Sequence, residues 1–285
     1  MTELPITEPG VYDIPEDAYH ADPVEGGSLS SSGARRLLAT CPARFRYELD
    51  NPRPSTRAME LGTAAHRLVL GVGPGITVID APNYRTKAAQ EARDEVRAAG
   101  GVPLLRDEWD VVEQMAAKLR EHELASVLLG GAGLPEQTLV WRDGPTGVWC
   151  RARLDWLPTV GADRQMYLAD YKTARSAHLD AISRAVEERG YHAQGAWYES
   201  GVLRLGLADR VFYYLVVQEK EPPYLVSVVR LNLVAMDAGR HLNRRALEIY
   251  AQCRDTGYWP PYAEGAPSIG LPPWAENRFL QEVTS

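Results

Sequence analysis

The sequence predicts an α/β protein with a mixed central sheet, flanked by helices and carrying a helical insertion. Three observations lead there. Up to about residue 129 the chain is dominated by helix-period segments rich in Ala, Glu, Arg and Leu. From Glu136 short β-like runs replace them, separated by turn residues. Beyond residue 179 helical and strand-like segments alternate again. Residues 1–285 read as one domain: an N-terminal helical part over 19–70, an insertion over 84–129, a sheet core over 136–231, and a C-terminal helix and tail over 232–285. A chain of this length can bury a sizeable core.

Taken in order, residues 28–39 open with a serine cluster before Leu37 and Leu38, the pattern of a capped helix start. Residues 57–70 are helical, with Met59, Gly62, His66 and Val69 near one face, and Gly71 to Gly75 end the segment. Two further helices are expected at 84–99 and 107–129. Strands follow at 136–141, 148–156 and 166–172, with turns at Asp143-Gly144-Pro145 and over 158–164. Helices at 179–188 and 191–203, strands at 210–218 and 225–231, and a long helix over 236–254 precede a Pro/Trp-rich tail.

The bulk numbers narrow the function classes. The net charge of −7 disfavours a protein that coats nucleic acid through a broad basic surface, though a local site is compatible with it. No uninterrupted apolar run reaches the length of a membrane span. The first residues, Met1-Thr2-Glu3-Leu4-Pro5, lack a basic-then-apolar leader, so a cytoplasmic location is expected. Three scattered cysteines, Cys41, Cys150 and Cys253, suit neither a disulfide framework nor a zinc site, and a four-cysteine iron–sulfur cluster is out of reach.

Chemistry concentrates at Asp155 and at Asp170-Tyr171-Lys172. Strand side chains alternate, so Asp170 and Lys172 share a face, as do Trp149, Arg151, Arg153 and Asp155. Two carboxylates can hold a hard divalent cation, and an adjacent ammonium can meet a phosphate oxygen. A triplet of this kind arises easily by chance, and its alternative reading is a solvated ion pair. His66 stands mid-helix, Gln194 and Tyr198 lie i, i+4 on one helix face, and Glu136-Gln137 open the first strand. Packing and surface roles would account for each of these alone. Six arginines (Arg35, Arg36, Arg44, Arg46, Arg53, Arg57) face only Glu48 and Asp50 between positions 35 and 57, a candidate clamp for a nucleic-acid backbone or a solvated surface. Interleaved Phe45 and Tyr47 can stack on an unpaired base or join the core, and the core is the expectation.

Gly62-xxx-His66, Asp155, Asp170-Tyr171-Lys172 and Gln194-xxx-Tyr198, in that order, resemble the PD-(D/E)xK nuclease superfamily, and within it the RecB-type and exonuclease VIII (RecE-like) phage branch. Tyr19-His20-Ala21-Asp22-Pro23, Ser30-Ser31-Ser32, Cys41-Pro42-Ala43-Arg44-Phe45 and Tyr258-Trp259-Pro260 are also similar to that branch. The third motif position is Asp170 where Glu is commoner; both are hard oxygen ligands. Related CRISPR-adaptation nucleases add four cluster cysteines that this chain lacks.

The resemblance implies a restriction-endonuclease-like core and an Mg²⁺- or Mn²⁺-dependent exonuclease. That enzyme would act on linear double-stranded DNA ends, 5′ to 3′, leaving single-stranded tails for recombination. Catalysis would fall to Asp155, Asp170 and Lys172. Metal ligation would fall to His66, Asp155, Asp170 and the Tyr171 backbone carbonyl, with Glu136 held more loosely. Gln194, Tyr198, Arg35, Arg36 and Arg44 would contact substrate. A single-strand annealing recombinase is the implied partner, a homo-oligomer the implied assembly, and the cytoplasm of a phage or prophage host the implied location. Two other readings stay open: a structure-specific or flap endonuclease, and a catalytically silent DNA-end-binding protein on the same fold.

Overall fold

The computed structural model describes residues 5–51 and 56–283. The N-terminal part contains β1 (Gly10–Tyr12), α1 (Glu16–His20), β2 (Leu29–Ser30), α2 (Ser31–Ala39), α3 (Pro42–Asp50) and α4 (Arg57–Leu70). The serine cluster caps α2 as its composition suggests: Ser30 Oγ accepts the Gly33 N–H at 3.1 Å. Pro42 occupies the first turn of α3, where its missing N–H costs nothing. Helix α4 has the bounds that the spacing predicts and ends at Gly71, whose φ of +78° is one that glycine adopts without strain.

The insertion is richer than the two helices expected. It comprises β3 (Ile76–Ile79), α5 (Lys87–Ala98), β4 (Val102–Leu105), α6 (Arg106–Glu121) and α7 (Glu123–Gly130), with β3 and β4 paired in parallel. The expected helix over 107–129 breaks at His122, whose backbone is extended (ψ 106°) and whose Nδ1 accepts the Ala125 N–H. A side chain that caps a new helix here competes with continuation of the old one.

The core follows as β5 (Gly133–Arg142), β6 (Trp149–Pro158), β7 (Gln165–Ala174), α8 (Leu179–Glu188), α9 (Tyr191–Arg204), β8 (Arg210–Glu219), β9 (Val226–Arg230), α10 (Leu233–Thr256) and α11 (Pro273–Val283). The mixed sheet is carried on two ladders. One has the order β1-β5-β6-β2, the other β7-β8-β9. In the second, β7 and β8 are parallel, so α8 and α9 form the crossover that parallel pairing requires. Strands β6 and β7 touch without sharing a backbone ladder, and that seam places the candidate site.

Strand β7 is buried on both faces. Met166 and Leu168 join a core shared with Leu154, Trp197, Leu215 and Leu247, which lies under α9 and α10. Ala169 and Tyr171 join a second core with Ala65, Leu104, Met115 and Val216, which lies under α4, α6 and α7. Period-two alternation sends Asp170 toward α9 and the Tyr171 ring toward α4, where it lies 5.1 Å from the His66 ring. Among the described residues, no helix is long and apolar enough to cross a membrane.

Candidate active site

Asp170 is 1% exposed. Gln194 Nε2, one turn into α9, lies 2.7 Å from both Asp170 Oδ1, to which it donates, and the Tyr198 hydroxyl. The i, i+4 spacing of Gln194 and Tyr198 thus places both beside the β7 carboxylate. Asp170 Oδ2 meets the Lys172 ammonium as an ion pair. Lys172 Nζ also stands 5.4 Å from the Tyr191 ring centroid. Burial pulls the Lys172 pKa down, but Asp170 and Asp155 outweigh it and hold the ammonium above its ordinary value.

Asp155 reaches across the seam between β6 and β7. Its Oδ2 accepts the Tyr171 N–H at 2.7 Å and lies 3.7 Å from His66 Nδ1. Burial, reinforced by the Asp170 charge, pushes its pKa up to about 7. The His66 imidazole is shifted down, first by burial and then by Lys172, with hydrogen bonding to the Tyr171 backbone among the opposing effects. That favours the neutral ring, the form that binds metal.

Glu136 sits where the β5–β6 ladder skips a pair: Pro135 faces Trp156, Gln137 faces Leu154, and Glu136 and Asp155 between them do not pair. Its φ of +54° is unusual for a residue with a Cβ, and such strain clusters at functional sites. Burial and the Asp155 charge raise its pKa, while Arg153 Nε donates to its carboxylate at 2.5 Å. One potential ligand atom from each of His66, Glu136 and Asp155 falls within a 4.8 Å group. Glu136, the loosest of the expected ligands, therefore stands with His66 and Asp155, while Asp170 engages Gln194 and Lys172. A neutral imidazole beside carboxylates whose pKa values are raised by burial and then by a neighbouring like charge fits a hard divalent cation, which would offset that charge.

The arginine group does not form one free cationic surface. Arg44 pairs with Glu48 and Arg46 with Asp50, both at 2.8 Å, and Arg57 is held by Glu60 and Glu108. Arg53 lies outside the described residues. Arg35 and Arg36 make no ion pair among the described residues. Arg35 Nη1 donates to Arg189 O at 2.6 Å, which sets it beside Gly190, the residue before α9 begins at Tyr191. Phe45 is in the core as expected, stacked on Trp259 at 5.9 Å, whereas Tyr47 is 60% exposed because α3 turns that face outward.

Three residues near the site were not singled out from the sequence. Arg153, two positions before Asp155 on the same strand face, braces Glu136. Tyr191, three positions before Gln194, lies under Lys172. Both sequence spacings were legible signals. Arg151 shares that strand face, four positions before Asp155. It is buried against the Asp22 carboxylate at 3.0 Å, the Ser28 carbonyl and the Tyr19 ring, so the Tyr19–Pro23 segment straps the N-terminus onto β6.

An aspartate on one strand, and an aspartate and lysine two residues apart on the next, define the PD-(D/E)xK nuclease superfamily. The chain belongs to the family described as PDDEXK-like domain of unknown function (DUF3799), whose model matches residues 30–271. Among solved structures, it is similar to a protein from Eubacterium rectale assigned provisionally as an exonuclease. The TM-score is 0.61 at 12% identity, covering 91% of this chain and 97% of that one. This likeness supports the fold. A phage-related exonuclease from Haemophilus somnus 129PT aligns over 81% of this chain and 96% of its own, at 11% identity and a TM-score of 0.33. No curated protein matches significantly.

Proposed function

We propose that this protein is a metal-dependent DNA exonuclease that hydrolyses phosphodiester bonds of linear double-stranded DNA from an end. The observation that carries the reading is the convergence of His66, Glu136 and Asp155 in one 4.8 Å group, with Asp170 and Lys172 across the adjacent seam. His66, Asp155, Asp170 and the Tyr171 carbonyl, joined by Glu136, would hold Mg²⁺ or Mn²⁺. When bound, the cation supplies a water of lowered pKa and neutralises charge on the scissile phosphate.

The chain's own groups do the rest. Lys172, kept protonated by two carboxylates, offers its ammonium to the phosphate oxygens and orients the attacking water. Gln194 fixes the Asp170 carboxylate and reaches toward Tyr198, so this pair acts on substrate through Asp170 as well as by direct contact. Arg35 and Arg36, and Arg44 with its Glu48 partner displaced, would contact the DNA backbone.

By resemblance to the exonuclease VIII branch, digestion proceeds 5′ to 3′ in the cytoplasm of a bacterial host. It leaves tails for a single-strand annealing recombinase, and a homo-oligomer surrounds the duplex. A time course on 5′- and 3′-labelled linear duplex, with Mg²⁺ and with EDTA, tests the reading. Mg²⁺-dependent release of the 5′ label, with covalently closed circles left intact, is the expected result. Rapid cutting of closed circles would replace the exonuclease with an endonuclease. No Mg²⁺-dependent cleavage of any DNA would overturn nuclease activity itself.

A further inference from the structure

Tyr213 of β8 pairs in register with Leu168 of β7, which puts its side chain on the sheet face that carries Asp170. The residue is 1% exposed, and its ring packs edge-on against Tyr198 with centroids 6.2 Å apart. A Cβ at position 195 would stand 2.5 Å from that ring, so Gly195 keeps α9 close enough to cover it. The hydroxyl nonetheless has no hydrogen-bond partner among the described residues, whereas Asp170 Oδ2 is engaged by the Lys172 ammonium. Burying an unpaired hydroxyl costs free energy that phenylalanine in the same space would avoid. A buried hydroxyl left without a partner on the face that carries Asp170 calls for one, and a buried water fills that role wherever it finds two to four polar neighbours. Burial, with the Asp170 charge behind it, holds the phenol protonated and therefore able to donate.

We infer that Tyr213 is a positioning residue of the proposed site. Its hydroxyl donates through one bound water to Asp170 Oδ2, so that Gln194 on Oδ1 and Tyr213 on Oδ2 fix the carboxylate while Lys172 turns to the phosphate. The inference rests on Asp170 serving the proposed cation site.

Calorimetric titration of the full chain with Mn²⁺ alone tests it, comparing wild type with Tyr213→Phe. That substitution keeps the ring and removes only the oxygen. Mn²⁺ affinity is expected to fall by about 10-fold or more, the scale for losing a partner that orients a metal ligand. The Mg²⁺ concentration for half-maximal cleavage should rise in parallel, with the KM for DNA unchanged and no loss of metal-free thermal stability. In an Asp170→Asn background the same substitution should have no further effect on Mn²⁺ affinity. Unchanged affinity in the single variant, an undiminished loss in the double variant, or a wild type that binds no Mn²⁺ would each overturn the inference. A wild type that binds Mn²⁺ tightly yet leaves DNA uncut would overturn the nuclease reading alone, and the calorimetry would still decide the role of Tyr213.

Discussion

Two carboxylates on the β5–β6 hairpin are treated in opposite ways. Asp143, just past β5, is 4% exposed and fully satisfied: Arg244 grips both oxygens at 2.8 Å, and Thr146 donates its hydroxyl at 2.6 Å and its N–H at 3.1 Å. Burial alone would raise its pKa, but these donors hold it below the ordinary carboxylate value. Asp155, on the neighbouring strand, has the Tyr171 N–H, stands beside His66, and faces the like charge of Asp170. Its pKa moves up to about 7. A buried charge that is fully compensated serves the fold. One left under-compensated beside another carboxylate is poised for a cation.

That contrast can be broken experimentally, most severely at the site. Lys172→Ala and Asp170→Ala should each reduce DNA cleavage by about 10³-fold, the scale for losing a preorganised charge at a transition state, as gel assays would show. DNA binding, measured by fluorescence anisotropy, should survive Lys172→Ala largely intact. Undiminished cleavage in either variant would remove the chemistry from β7.

Asp143→Asn should instead cost about 2 kcal/mol in urea unfolding, because Arg244 loses its bidentate acceptor; the partial exposure of Arg244 keeps the loss from being larger. Cleavage per folded molecule should not change. Asp155→Asn should do the reverse, abolishing cleavage while leaving metal-free stability equal or slightly higher, since it removes a repelled charge.

The two carboxylates also differ in pH dependence. Asp155 titrates at a higher pH in the fold than its ordinary 3.8, so the folded state holds the proton more tightly. Its contribution to stability is complete below about pH 4 and is lost as pH rises through about 7. Asp143 works the other way, stabilising above its ordinary pKa and losing that contribution as pH falls. A divalent cation competes with the proton at Asp155. The thermal shift on adding Mg²⁺ should therefore be larger at about pH 8 than at about pH 5.5. An equal shift at both values would detach the cation from that carboxylate.

Patterning and composition made α4, α8, α9, β7 and β8 legible nearly to their ends, although α9 is buried nearly all round over 192–199 and β7 on both faces. The β3–β4 pair was not, since Ile76–Ile79 and Val102–Leu105 are runs of four residues in a segment otherwise coloured by helix formers. The break at His122 depends on a single side chain capping a helix start, and α11 on a Pro-led segment after a loop. At the site, strand parity paired Asp170 with Lys172 and helix spacing paired Gln194 with Tyr198, while the family resemblance joined the two pairs into one site. What sequence could not supply was the third dimension. The left-handed turn at Glu136, the Arg35 contact with Arg189 and the Arg57 pairing with Glu108 depend on packing between distant segments, whereas the Arg44–Glu48 and Arg46–Asp50 pairs are i, i+4 neighbours on α3 whose spacing was open to view.

The most direct test compares nucleotide release from linear duplex DNA in Mg²⁺ by the wild-type chain, Asp155→Asn and Asp143→Asn, each normalised to folded protein. Release by wild type and Asp143→Asn at similar rates, and none by Asp155→Asn, is the expected result. Release by Asp155→Asn at the wild-type rate would contradict it.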